Sequence, residues 1–515
     1  MSPTPLLGRA DEAAVHSRAH ARRAFLTVLL IEMWERFGYY GVAVLLVLFM
    51  VQRIGIDDTR VNLIWGAFSA LIFAAPAVGG WIGDQVLGTR RCMILGACTL
   101  GLGYLLLALC ADDLQRLFIA LGTIIVGNGL FRANAANLVR RVYDGVGTKL
   151  DSAFTFYYMT NNIAATAAVL LTPWIKDHQG WHIAFAVCCV ALMLALLSYA
   201  FMTRALAGMG SQPDTRPLQW GRLAAVLGGA VLAVFLSAFI IQHSEIGIAC
   251  VYIGGVSILG IFAYMIAKGS KSERAGLIAA LILLLEASLF YIFYQQEATS
   301  LTLFALRNVD GNQTLFGRHL FTWSPAQYPA VNAMWIMLLS PLLAWTYRRL
   351  GTRDLPVAAK FAIGFAAVAI GFFIFGFGDH WATGGKVPSW VMVAGYGFYS
   401  LGELLIAALG LAMISRYVPA RMGGFMMGAL FVAAGVSEYL GSVVANVASI
   451  SRGVIDPVVS LAIYAQLFDN LALLAMAGSA VAIALLPLMK RLSAQHETIQ
   501  SNAAVPEDGR AVTVR

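Results

Sequence analysis

Glu32-Met33-Trp34-Glu35-Arg36-Phe37-Gly38-Tyr39-Tyr40-Gly41 lies inside an apolar run from about Phe25 to Met50, long enough to cross a bilayer. A charge at the centre of a spanning helix costs at least about 2.5–3.5 kcal/mol, yet three charges fall between Glu32 and Arg36. Glu32, Glu35, Arg36 and Tyr39 have the i, i+3, i+4, i+7 spacing of one helix face. Lipid cannot accept that face, so the spacing predicts that it looks into a hydrated space lined by other helices. Two carboxylates beside one guanidinium make a place where a proton can bind and leave, because the arginine neutralises only one of them.

The rest of the chain has the composition of a membrane-embedded protein. Of 515 residues, 59 % are hydrophobic and only 12 % are charged, with a mean hydropathy of +0.75, far above soluble norms. The net charge of +8 does not mark a nucleic-acid binder, since the basic residues lie in short loops between apolar spans. Six cysteines fall in apolar runs with no CxxC pattern and no histidine beside them. They read as small core residues, and neither disulfide nor metal is expected. The polar N-terminal stretch carries no signal-cleavage pattern, so the first span is expected to be retained.

Counting apolar stretches of about twenty residues gives fourteen helices, from 25–50 through 153–173 and 276–305 to 463–489. Connections rich in Arg and Lys alternate with connections holding single basic residues. Arg22 and Arg23, Arg90 and Arg91, Arg140 and Arg141, Arg348 and Arg349, and Lys490 and Arg491 fall on one side. The positive-inside rule then makes both termini cytoplasmic, as an even number of spans requires. The expected location is the cell inner membrane, multi-pass.

The chain also repeats itself. Leu87-Gly88-Thr89-Arg90 follows the second span and Leu350-Gly351-Thr352-Arg353 follows the tenth. With the seventh and eighth spans taken as an inserted pair, these turns become equivalent positions in a six-plus-six repeat. Parallel halves of this kind are the architecture of the major facilitator fold. The expected fold is therefore all-α: two six-helix bundles, 25–204 and 273–490, joined by an inserted hairpin at 205–272, with tails at 1–24 and 491–515. Polar residues fall where a central site would need them. Arg132 lies in the fourth span, Asn161 and Asn162 in the fifth, and Glu286, Gln295, Gln296 and Glu297 in the ninth; Asn332, Glu403 and Glu438 follow in the C-terminal half. An unpaired Arg132 would be intolerable in hydrocarbon, so a carboxylate partner across the bundle is expected, with Glu403 the candidate.

Several stretches together resemble the proton-coupled oligopeptide transporter family, the peptide branch of the major facilitator superfamily. They are Glu32-x-x-Glu35-Arg36-Phe37-x-Tyr39-Tyr40-Gly41, Phe154-x-x-Tyr157-Tyr158-Met159-Thr160-Asn161-Asn162, Gln296 to Phe304 followed by Arg307-Asn308, Asn332 ahead of Pro341, and Gly402-Glu403-Leu404-Leu405. The resemblance covers nearly the whole chain and implies uptake of di- and tripeptides driven by protons, with no enzymatic step and no cofactor beyond the coupling proton. It implies proton coupling at Glu32, Glu35 and Arg36, and substrate contact at Tyr39, Tyr40, Arg132, Asn162, Gln295, Asn332 and Glu403. Arg132 and Glu403 would form a charge pair between the halves that meets the peptide's two termini. The expected partners are peptides, protons and the lipid bilayer, with the chain functional as a monomer.

The departures from the family pattern bear on substrate range. Arg132 replaces a lysine, Phe73 a tyrosine, Pro329 a glutamine, Ala407-Ala408 a Ser-Pro pair and Leu430 a tryptophan. Gln295 stands where many members have a coupling glutamate, and Ala43 where many have the arginine that pairs with it. The alternative function is a transporter of the same fold for another zwitterionic or peptide-like compound, including an exporter.

Overall fold

The computed structural model describes residues 7–503 apart from 111, 143–146, 207–208, 316–317, 352–353, 415–416, 418–422 and 451–455. Side chains are also left out of the description at 7–22, 142, 147–158, 271–272, 314–315, 408–414, 423–425, 427 and 497–503. The first six long helices are α1 (Leu7–Leu48), α2 (Asp58–Trp81), α3 (Thr89–Ala108), α4 (Leu114–Val142), α5 (Gly147–Gln179) and α6 (Trp181–Met202). A hairpin of α7 (Trp220–Gln242) and α8 (Ser244–Lys268) follows. The chain then forms α9 (Lys271–Tyr294), α10 (Ser300–Asn308), α11 (Pro329–Leu350), α12 (Val357–Phe377), α13 (Trp390–Ile414), α14 (Gly423–Ala445) and α15 (Pro457–Ala503). Thirteen described segments are long and apolar enough to cross a membrane. α5, at 33 residues, is also long enough, at about 50 Å.

Helices α1 to α6 pack on one another, with α1 against α5 and α6, and α4 against α2 and α3. In the second bundle α12 packs on α13 and α15, while α9 touches α13, α14 and α15. The inserted hairpin braces both: α7 lies on α4 and α8 lies on α14. The α2–α4 contact depends on glycine, since a Cβ at Gly79 would sit 1.9 Å from the Gly129 carbonyl oxygen. Asn134 secures this approach by donating to the Gly79 carbonyl at 2.9 Å. Between the bundles, α2 packs along α14 and α5 along α11.

One expected helix is broken. The span read as 276–305 stops at Tyr294, turns through 295–299 and restarts as α10. Polar side chains satisfy backbone groups that the break frees, which is the condition for irregular backbone at membrane depth. The Thr299 hydroxyl donates to the Gln295 carbonyl, Thr302 to the Glu297 carbonyl and Gln296 Nε2 to the Ile292 carbonyl. A period-3.6 reading of the apolar residues passes through this break unnoticed.

Both repeated turns place a glycine at positive φ, 112° at Gly88 and 52° at Gly351, but their ψ angles of 138° and −118° differ; Thr352 and Arg353 lie outside the described residues. At the first turn the chain that follows α6 caps α3. The Asp214 carboxylate accepts from the backbone N–H groups of Arg90 and Arg91 at 3.1 and 3.4 Å, and Ser211 Oγ accepts from Thr89 N–H at 3.0 Å. A remote carboxylate thus serves an uncapped helix N-terminus. The cysteines depart in part from the expected core role. Cys92, Cys110 and Cys188 are buried, Cys189 is half-buried, and Cys98 and Cys250 lie exposed. In a lipid-facing bundle an apolar residue is as welcome outside as inside.

Candidate functional site

The α1 motif folds into a buried cluster. Arg36 binds Glu35 Oε2 through Nε and Nη2, both at 2.6 Å, and its Nε lies 3.7 Å from Glu32 Oε2. Glu32, Glu35 and Arg36 are 1 %, 0 % and 4 % exposed, so the hydrated face expected from the spacing is closed over in this conformation. Packing of α1 against α5 and α6 encloses it, and the buried Tyr104 of α3 lies within electrostatic reach of Glu35 and Arg36. Tyr39 leads out of the cluster. Its ring lies under the Arg36 guanidinium at 5.5 Å and meets Tyr40 edge-on at 5.4 Å.

Across the bundle interface Tyr291 stands within electrostatic reach of Arg132, Glu403 and Glu438. The expected Arg132–Glu403 ion pair is not made in this conformation. The Arg132 guanidinium lies over the Phe73 ring at 5.8 Å, and Phe73 meets Tyr291 edge-on at 6.2 Å. The aromatic ring in the family's tyrosine position gives the arginine a face to rest on. Glu403 is held instead by Asn332, whose Nδ2 donates to Glu403 Oε2 at 3.0 Å and to Glu297 Oε2 at 3.2 Å. Ser400 Oγ fixes the orientation of that amide by donating to Asn332 Oδ1 at 2.5 Å. The turn after α9, together with α11 and α13, therefore brings two carboxyl groups onto one nitrogen.

Gln295 does not face this site. Its Nε2 donates to Ser442 Oγ on α14 at 2.9 Å, and the residue is buried within its own half. Gln296 also turns to α14, donating to the Gly441 carbonyl at 2.9 Å. The break after Tyr294 is what sends Glu297 the other way, towards α11; in a regular helix Glu286 and Glu297, eleven residues apart, would fall about 20° apart on one face, and the break removes that relation. Glu286 is 8 % exposed, with no hydrogen-bond partner for either carboxyl oxygen among the described residues. Asn161 and Asn162 are half-buried on α5, while the side chains of Tyr157, Tyr158 and Ala408 lie outside the described residues. Pro329 occupies the first position of α11, where its missing N–H costs nothing; Ala407 is half-buried and Leu430 buried.

The sequence reading missed Ser400, which gives no signal of its own, and a latch between the halves. Arg307 grips Asp58 through Nη1 and Nη2 at 2.5 and 2.7 Å and also reaches the Tyr464 hydroxyl at 2.7 Å. Ile450 N–H donates to the same carboxylate at 3.1 Å, and Asn62 Nδ2 to Asn446 Oδ1 at 3.0 Å. Further along, Gln327 Nε2 donates to the Leu170 carbonyl of α5 at 2.8 Å. These contacts seal the end of the molecule where α2 begins and α10 stops. The signal was available: an acid in the first turn of one helix and a base in the last turn of another are where helix dipoles favour them.

Two six-helix bundles, a charged interface between them and an inserted hairpin define a secondary transporter of the major facilitator fold. The chain belongs to the POT family, whose model matches residues 90–456. Dipeptide and tripeptide permease A of Pectobacterium carotovorum is 38 % identical over 448 residues, 87 % of each chain. The same-named permease of Escherichia coli K12 is 35 % identical over 484 residues, 94 % of each. The crystal structure of tetrameric PepTSo2 superposes with a TM-score of 0.84 at 52 % identity, covering 92 % of this chain and 99 % of that one.

Proposed function

We propose that this protein imports di- and tripeptides together with protons across the inner membrane by alternating access. One observation carries the reading: a cation on the N-terminal half, Arg132, and two carboxylates on the C-terminal half, Glu438 and Glu403, act on the same central residue, Tyr291. A peptide presents a carboxylate and an ammonium at a separation set by its length. Arg132 would take the first and Glu403 the second, drawing the halves together. Tyr39, Tyr40, Asn162 and Asn332 would line the space between, and the names of the permease relatives favour short peptides as cargo.

Proton coupling enters through the α1 cluster. Glu32 and Glu35 outnumber Arg36, and a proton on one of them makes the cluster neutral. The basic connections support cytoplasmic termini, which would turn the sealed Asp58–Arg307 end outward and make this conformation the inward-facing one. The proposed substrate contacts are divided between the two halves of the chain, Arg132 on one and Glu403 on the other, which favours a monomeric functional unit.

Uptake of a labelled dipeptide into proteoliposomes tests this. An inside-alkaline pH gradient should drive accumulation, and unlabelled dialanine should compete with it. Accumulation that ignores dialanine would move the cargo to another zwitterion, and indifference to the gradient would remove the proton.

A further inference from the structure

We infer that Glu297 and Glu403, brought onto one amide nitrogen by Asn332, bind a second proton of the transport cycle, separate from the one at the α1 cluster. This rests on the proton-coupled reading above and adds a site to it. The geometry is specific. Asn332 Nδ2 reaches Glu403 Oε2 at 3.0 Å and Glu297 Oε2 at 3.2 Å, while Ser400 holds the amide oxygen and prevents the group from turning over. An amide nitrogen has two hydrogens, so it can serve both acids at once, but it brings no charge to neutralise either.

Among the described residues no cation acts on the pair. The groups that act on Glu297 are Glu403, Asn332 and, from α14, Glu438. Tyr294 on α9 and Tyr399 on α13 feel both carboxyl groups, and Tyr396 feels Glu297. From the N-terminal half Tyr40 acts on Tyr294, and Arg132 acts on Tyr39 and Tyr291 while lying over Phe73. Among the described residues, α8, α12 and α15 place no charged group against either acid.

The charge balance then requires a proton. When a peptide is bound, its ammonium can neutralise Glu403, and its carboxylate engages Arg132. Glu297 is left with an amide and no counter-charge in a site that must pass through a closed state. A bare carboxylate there would be a buried, uncompensated charge; a proton taken from water onto a Glu297 carboxyl oxygen removes it. Proton and ammonium therefore bind together and leave together, which is symport. Gln295 cannot take this part, because it carries no acid and is turned to Ser442. The break at 295–299 places the acid two residues further on, against α11.

The test is the steady-state accumulation ratio of a labelled dipeptide in proteoliposomes, measured at several imposed pH gradients. The slope of its logarithm against the gradient counts protons per peptide. We expect the slope to fall by one in Glu297→Gln, with peptide exchange at equal pH on both sides retained. Glu297→Asp should keep the wild-type slope at a lower rate, which guards against a folding defect. An unchanged slope in Glu297→Gln would overturn the inference while leaving proton-coupled transport intact. Loss of exchange along with the slope would also overturn it, making Glu297 a binding residue. A wild-type slope of zero would instead refute the proton-coupled reading itself.

Discussion

Replacing Asp58 by asparagine isolates the latch that seals one end of the transporter. Asp58 is 2 % exposed and accepts two hydrogen bonds from Arg307 and one from Ile450 N–H. Asparagine keeps the size and one acceptor, and Asp57 still caps α2 through the Arg60 N–H at 3.0 Å, so the helix start survives. What is lost is the ionic part of a bidentate pair. Breaking a fully buried pair costs about 3–5 kcal/mol. The Arg307 side chain is 23 % exposed and keeps its bond to Tyr464, which brings the expected loss down to about 2 kcal/mol. Asp58 and Arg307 lie on different halves and must separate when that end opens, so the loss falls almost entirely on the sealed state. The opening equilibrium should shift by about thirtyfold. Spin labels at Arg116 and Val458, both exposed on the same end, would report it as a growing long-distance population by pulsed electron resonance in a cysteine-free background. The charge swap Asp58→Arg with Arg307→Asp should restore much of the short-distance population. An unchanged distance distribution in Asp58→Asn would refute the reasoning and reduce the pair to a surface ornament.

Other substitutions test the remaining parts. Arg132→Ala should abolish concentrative peptide uptake while Arg132→Lys keeps part of it, since lysine retains the charge and loses the planar fork; wild-type kinetics in Arg132→Ala would remove the arginine from the site. Glu35→Gln should lower the proton count by one in the gradient assay and leave equal-pH exchange measurable. Asp214→Ala uncaps α3 and should cost about 1–3 kcal/mol, seen as a lower melting temperature in detergent with little change in peptide affinity. Cys110, its thiol pushed up to about 11 by burial, should resist maleimide at pH 8. Ala43→Arg and Gln295→Glu are expected to add without rescuing each other, because Gln295 points at Ser442 on its own half; a positive coupling energy would show that the two meet in another state.

The membrane class, the number of crossings and the family were all readable from the linear order of residues. Each depends on local quantities: the length of an apolar run, the charge of the loop beside it, and motif residues whose spacing is fixed along one helix. The α1 acids and Arg36 were found for the same reason, because charge inside a spanning helix is costly wherever that helix packs. What the tertiary structure decided was partnership. Asn332 could have been simple glue between helices; only the break at 295–299 and the packing of α11 against α13 put Glu297 and Glu403 on its amide. Arg132 was expected to meet Glu403, but Phe73 and Asn332 compete for the two ends of that pair. The break at 295–299 left no mark on the apolar pattern, because hydroxyl and amide side chains satisfy freed backbone groups without changing the average hydropathy. The latch joins residues 249 positions apart, and such a contact is set by how two bundles lean together, a relation that no periodicity along one chain encodes.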